Sequence, residues 1–220
     1  MKVGIIVAMS KELKLLLPLI ENRSELRVNG FDLHIGRIGN VEVAAMQSGI
    51  GKVNAAVGTL TLIDSFHPSL VVNSGVAGGT GGGAGVLDVV IATRVAYHDV
   101  WCGPGNQWGT VEGCPPYFEA TAIEIDGNNI KHGLVASGDM FISRTEDVER
   151  IRSLYPDAIA CDMESGAIAQ VCHLKNVPFS VIRVVSDTPG SGDNFSQYVS
   201  FWDDAPAKTF DILKQILEKF

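Results

Sequence analysis

"PSLVVNSG", from Pro68 to Gly75, is apolar and β-branched and lacks the polar alternation of a half-exposed strand. Such a run belongs in a sheet covered on both faces. "VGII" with Val7 at the N-terminus and "PFSVIRVVSD" (Pro178–Asp187) have the same character. Between these strands the spacing predicts helices over Ser10–Leu19, with Ser10 as N-cap, in "VNAAVGTLTLIDSF" from Val53, in "RTEDVERIRSLYP" from Arg144, and over Glu164–His173. A last amphipathic helix is expected after a cap at Asp204, with Phe210, Leu213, Ile216 and Leu217 inward. Asn29-Gly30 between alternating runs marks a hairpin. "VEVAAMQSG", "VLDVVIATRVAYHDV", "HGLVASG" and "AIACDM" add strands, and "WCGPGNQWGTVEGCPP" has the punctuation of a long loop. The pattern predicts an α/β protein: a three-layer α/β/α sandwich with a mixed central sheet, in one domain over residues 1–220.

Composition narrows the function. Of 220 residues, 46% are hydrophobic and 19% charged, which fits a chain with a large core. A formal charge of -8 opposes binding to nucleic acid or an acidic membrane, so neither is expected as a partner. Cys102, Cys114, Cys161 and Cys172 form no CxxC pair, so no metal site is expected and the thiols read as buried or partly buried in a reducing cytosol. The apolar run at the N-terminus is only strand length, and no segment reaches the ~18 apolar residues of a membrane span. A cytoplasmic protein is the expectation.

Polar residues at predicted strand ends supply the candidate site. Met9 and Glu12, Ser48, Asn73, Asp139, Glu164 and Asp187 all fall there, where ligands bind in α/β sheets. Glu12, in the first turn of a helix, either complements the helix dipole, worth ~0.3–1 kcal/mol, or acts as a general base. Asp187 either caps the turn "TPGSGDN" or is a general acid with a raised pKa. Gly75, Gly78 and Gly79, in the glycine-rich "GVAGGTGGGAG", suit a tight turn or close approach of backbone to a ligand. That loop does not follow a first strand as a dinucleotide fingerprint would, and "SGIGKV" lacks the Ser or Thr of a phosphate-binding Walker loop. No cofactor is expected. His98 and His173 stand alone, without metal spacing.

In order along the chain, "VGIIVAMSKEL", "SGIGKVNAA", "VVNSGVAGG", "YHDV", "GCPPYFEA", "VASGDMFI", "CDMESGAIAQVCHLKNVPF" and "IRVVSD" resemble the 5'-methylthioadenosine/S-adenosylhomocysteine nucleosidases. These belong to the purine nucleoside phosphorylase/uridine phosphorylase superfamily. The resemblance implies a nucleoside phosphorylase-like fold, hydrolysis of the bond between adenine and a 5'-thioribose, a small-molecule nucleoside as partner, and a homodimer. It implies that Glu12 activates water, Asp187 protonates N7 of adenine, and Arg183 lies near the water. Glu164 would bind ribose hydroxyls with Met163 packed on the sugar, Phe141 would stack on the base, and Ile142 would read its edge through backbone groups. Met9, Ile50, Val76, Ala77, Gly78 and Phe195 would complete the site, while Asp162 is left structural. Val76 stands where many relatives carry serine. The segment from Phe118 to Val135 is too short for the helix expected there.

Two alternatives remain on the same fold: a related nucleosidase of the futalosine type, and a purine nucleoside phosphorylase. A phosphate nucleophile needs cationic donors, and "AMSKELKLLL" after the first strand offers Lys11 and Lys14 but no arginine. A third possibility is a nucleoside-binding module without chemistry, which would have little need for Glu12, Glu164 and Asp187 together.

Overall fold

The computed structural model describes residues 1–125, 127–204 and 206–218; for 203, 204 and 206–211 it describes the backbone course alone. The order is β1 (Lys2–Val7), α1 (Ser10–Leu16), a 3-10 turn (Leu17–Leu19), β2 (Glu21–Val28), β3 (Phe31–Ile38), β4 (Val41–Gln47), α2 (Lys52–Phe66) and β5 (Leu70–Gly79). It continues through β6 (Val89–Tyr97), β7 (Phe118–Glu119), β8 (Ile130–Ser137), α3 (Thr145–Leu154), β9 (Ala158–Asp162), α4 (Ser165–Lys175), β10 (Phe179–Asp187), α5 (Asn194–Asp204) and α6 (Pro206–Glu218).

The mixed sheet runs β10-β6-β8-β9-β5-β1-β4-β3-β2, and β10 also pairs with β5. That extra pairing closes β5, β10, β6, β8 and β9 into a ring, from which β1 and the β2–β4 meander extend. β1 is parallel to β4 and β5, β10 is parallel to β5, and β9 meets β5 antiparallel. In this last crossing Cys161 faces Gly78, so the carboxyl end of β9 arrives at the carboxyl end of β5. The ends of β1, β9 and β10 thereby reach one place although the strands differ in direction.

Layering follows from alternation along the strands. Ile6 faces the core shared with Leu62 and Phe66 of α2 and Ile168 of α4. Val3, Ile5 and Val7 face the opposite core, with Leu16 of α1 and Leu213, Ile216 and Leu217 of α6. A third cluster packs α3 through Val148 and Ile151 against Leu134 and Ala136 of β8. β10 is buried along its whole length, including the polar Arg183 and Asp187 within its largely apolar run. The edge strand β2 is exposed and polar, which protects it from pairing with other chains. No helix among the described residues is long and apolar enough to cross a membrane.

Several local expectations need correction. Ser10 is the first helical residue rather than the cap; Met9 is the cap, its N–H donating to Glu12 at 2.9 Å. That helix stops at Leu16, and Pro18 lies in the 3-10 turn that follows. Gly75, Gly78 and Gly79 lie inside β5 rather than in a loop. Helix α5 was not anticipated, although Phe195, Tyr198, Val199, Phe201 and Trp202 carry helical spacing behind the turn signals of "TPGSGDN". Leu213, Ile216 and Leu217 are buried as expected, whereas the side chains of Asp204 and Phe210 lie outside the described residues. Cys102 is exposed, while Cys161 and Cys172 are buried.

Ile5 is fully buried on the face away from α2. Ile5→Ala should lower unfolding free energy by about 2–5 kcal/mol in urea titration; a loss below about 1 kcal/mol would contradict the packing described.

Candidate active site

A cavity of about 760 Å³, counted out to its open mouth, lies at the carboxyl ends of β1, β9 and β10. Four acids line it: Glu12, Asp162, Glu164 and Asp187. Of the residues that the family resemblance places in the site, all but Arg183 line it, with Met9, Ile50, Val76, Ala77, Gly78, Phe141, Ile142, Met163 and Phe195 beside the acids. Ser48 and Asp139, just past the ends of β4 and β8, are not in the lining, nor is Asn73, which lies inside β5 rather than at a strand end.

Glu12 is placed by backbone amides. Its Oε2 accepts from Ala8 N at 3.0 Å and Met9 N at 2.9 Å, and its Oε1 accepts from Val76 N at 3.2 Å. It therefore fixes the start of α1 and also faces the cavity, so the two readings of this residue are compatible. Burial raises its pKa, and Arg183 and the three amides offset this only in part.

Arg183 lies behind the cavity wall, with 1% of its surface exposed. Its Nε donates to Asp162 Oδ2 at 2.8 Å and its Nη2 to Asn73 Oδ1 at 2.6 Å, while Glu164 Oε2 lies 3.8 Å from Nη2. Those two donors are engaged with the scaffold, while Nη1 lies on the side of Gly75 and Glu12. The approach of Arg183 to Glu12 requires a glycine: a Cβ on Gly75 would sit 2.5 Å from Arg183 Nη1 and 2.6 Å from Glu12 Oε1. Asp162 is structural as expected, since its other oxygen caps α4 by accepting from Ser165 N at 3.2 Å and Ser165 Oγ at 2.8 Å.

Glu164 sits at the N-cap position of α4, and its Oε1 accepts from Gly51 N at 2.9 Å. Burial pushes its carboxyl up to about 7, Arg183 pulls it down, and Asp162 adds to the rise. Asp187 ends β10 across the cavity. Its Oδ1 accepts from Ser186 Oγ at 2.7 Å and its Oδ2 from Asn194 Nδ2 at 3.4 Å. Burial raises its pKa against those two donors, the direction a general acid needs.

The mouth is aromatic. Phe141 meets Phe195 and Tyr198 edge-on at 6.4 and 5.8 Å, and Tyr198 Oη reaches Met9 Sδ at 3.3 Å. The sequence reading misses Tyr198, Ser186 and Met140 in the lining and Asn194 beside Asp187. Tyr198 and Asn194 belong to the unanticipated α5, and Ser186 and Met140 adjoin residues that were named.

The phosphorylase superfamily model matches residues 2–218. The 5'-methylthioadenosine/S-adenosylhomocysteine nucleosidase of S. pneumoniae, solved with a transition-state inhibitor, is 36% identical over 99% of both chains, with a TM-score of 0.93. The chain belongs to this nucleosidase family. The Neisseria meningitidis nucleosidase bound to methylthio-immucillin-A is 35% identical over 100% of this chain and 99% of that one, with a TM-score of 0.93. The Colwellia psychrerythraea nucleosidase bound to adenine is 34% identical over 99% and 94% of the two chains, with a TM-score of 0.91. The nucleoside phosphorylase-like α/β fold expected from the sequence is thus the fold of the family.

A carboxyl with a raised folded pKa holds more protons folded than unfolded between its two values, so its contribution to stability falls as pH rises through that window. For Glu164 the window runs from 4.5 to about 7. The urea midpoint should decline across it, and less steeply in Glu164→Gln; equal slopes would remove Glu164 as a source.

Proposed function

We propose that this chain hydrolyses the N-glycosidic bond of adenine thionucleosides, 5'-methylthioadenosine and S-adenosylhomocysteine, and releases adenine. The observation that carries this is the make-up of the lining: four acidic side chains and, among the described residues, no lysine, arginine or histidine. A cavity so lined favours a cationic sugar and opposes an anionic nucleophile. The carbon skeleton of a ribosyl purine also suits the largely apolar remainder of the wall.

Breaking the bond between C1' and N9 leaves positive charge on the sugar and an electron pair on the base. Asp187, whose pKa burial raises, gives a proton to N7 and so stabilises the leaving base. Glu164 accepts hydrogen bonds from the ribose hydroxyls, and its charge favours the cation as it develops. A water attacks C1', with its proton passing to Glu12, whose orientation the amides of Ala8, Met9 and Val76 fix. Phe141 stacks on the base and the Ile142 backbone meets its edge; the Asn194 amide already ties Ile142 O at 3.3 Å and Asp187 together. Met163 packs against the sugar, and Met9, Ile50 and Phe195 take the thioether end. Arg183 supports these steps by holding Asp162 and Glu164.

Methylthioadenosine in phosphate-free buffer should yield adenine and free methylthioribose. Asp187→Asn should keep measurable binding while turnover falls about 10²–10⁴-fold. Strict phosphate dependence with ribose 1-phosphate chemistry would favour the phosphorylase alternative, and unchanged turnover in the variant would discard the proton donor.

We further propose a cytoplasmic homodimer. Supporting it, α2 exposes Val53, Val57 and Leu60 at helical spacing beside Ile50, with Leu174 and Trp101 also exposed. Sedimentation should give twice the chain mass, and Val57→Asp should reduce it to one; a wild-type monomer would contradict this.

A further inference from the structure

The N-terminus of α2 lacks a cap of its own, because Gly51 occupies the cap position with φ 91° and has no side chain. Its leading amides are satisfied from far along the chain. Gly51 N donates to Glu164, and Lys52 N donates to Asp139 Oδ1 at 2.7 Å. Asp139 is in turn gripped by Asp99, whose Oδ2 accepts from Asp139 N at 2.8 Å. The other oxygen of Asp99, Oδ1, accepts from Lys52 Nζ at 2.7 Å, and that ammonium also lies 4.7 Å from the centre of the Tyr97 ring. The contacts form a closed circuit: Asp99 to Asp139, Asp139 to Lys52, and Lys52 back to Asp99.

This circuit joins two walls of the cavity that lie far apart in sequence. One is the turn carrying Ile50 and Gly51, the other the segment Met140–Ile142 that begins directly after Asp139. Asp99 itself does not line the cavity. Space around the circuit is tight, since a Cβ on Gly51 would come within 2.9 Å of Asp139 Oδ1.

We propose that Asp99 is a positioning residue for the hydrolysis: through Asp139 and Lys52 it sets the start of α2 so that the Gly51 amide holds the Glu164 carboxylate in its working orientation. This rests on the function proposed above. Asp99→Asn keeps the shape but presents one oxygen and an amide where two oxygens accept, so one arm of the circuit opens. Small displacements of a reacting group are costly, so kcat/KM for methylthioadenosine should fall roughly 10- to 100-fold. A merely structural residue would cost the same factor in any background. A residue acting through Glu164 should cost only a few-fold once Glu164→Gln has removed the carboxylate, because coupled residues are non-additive.

Amide hydrogen exchange supplies a readout independent of turnover. In Asp99→Asn the Gly51, Lys52 and Asp139 amides should exchange at least ~10-fold faster, while those of Val43–Met46 in β4 stay protected. The proposal is overturned if the single variant keeps kcat/KM within about twofold of wild type, if the same loss appears in both backgrounds, or if Gly51 exchange is unchanged. A wild type that releases no adenine would sink the proposed hydrolysis instead, with the exchange experiment still deciding whether Asp99 holds Gly51.

Discussion

A single buried guanidinium holds this molecule's site together. Arg183 rises from β10 and engages Asn73 on β5, Asp162 at the end of β9 and, at longer range, Glu164 at the start of α4. Across Gly75 it also lies against Glu12 from α1. Carboxylates brought this close in a buried place repel one another and lose their hydration, costs that a paired cation offsets. Removing one partner of such a buried pair typically costs about 3–5 kcal/mol, so the arrangement is also a structural commitment. The absence of a side chain at position 75 is what lets the cation reach the glutamate.

With that centre neutralised in part, the cavity can present charge where a glycosidic cleavage develops it. The sugar side carries Glu12 and Glu164. The base side carries Asp187, whose burial favours the protonated form and whose two donors, Ser186 and Asn194, fix its orientation. Burial raises all three carboxyls, and their partners separate them: Arg183 pulls Glu12 and Glu164 back toward the charged form, whereas at Asp187 the offset comes from Ser186 and Asn194, a division of roles like that of paired acids in glycoside hydrolysis. Asp99 and its partners stand one layer further out and stiffen the wall without entering it.

Much of this was legible in the sequence. The largely apolar runs of β1, β5 and β10 pointed to a covered sheet, and the acids following β1 and β9 and ending β10 pointed to a composite site. Closure of five strands into a ring was not legible, because it depends on β10 pairing with β5 and on β9 crossing it, contacts set by tertiary register rather than by local pattern. The partners of Arg183 were not legible, since nothing in the sequence shows that its Nε and Nη2 meet Asp162 and Asn73. Helix α5 was hidden by the turn residues before it, and Tyr198 and Asn194 went unseen with it. Gly75 looked like loop chemistry because glycine density alone does not distinguish a turn from a strand that must admit a neighbouring side chain.

The most direct measurement of the central claim is a crystal structure of this chain with a non-cleavable 5'-thioadenosine analogue. The account requires the purine N7 within hydrogen-bond reach of the Asp187 carboxyl and both ribose hydroxyls on Glu164, with Arg183 still buried behind them. A ligand bound with its sugar away from Glu164, or its imidazole nitrogen away from Asp187, would contradict it.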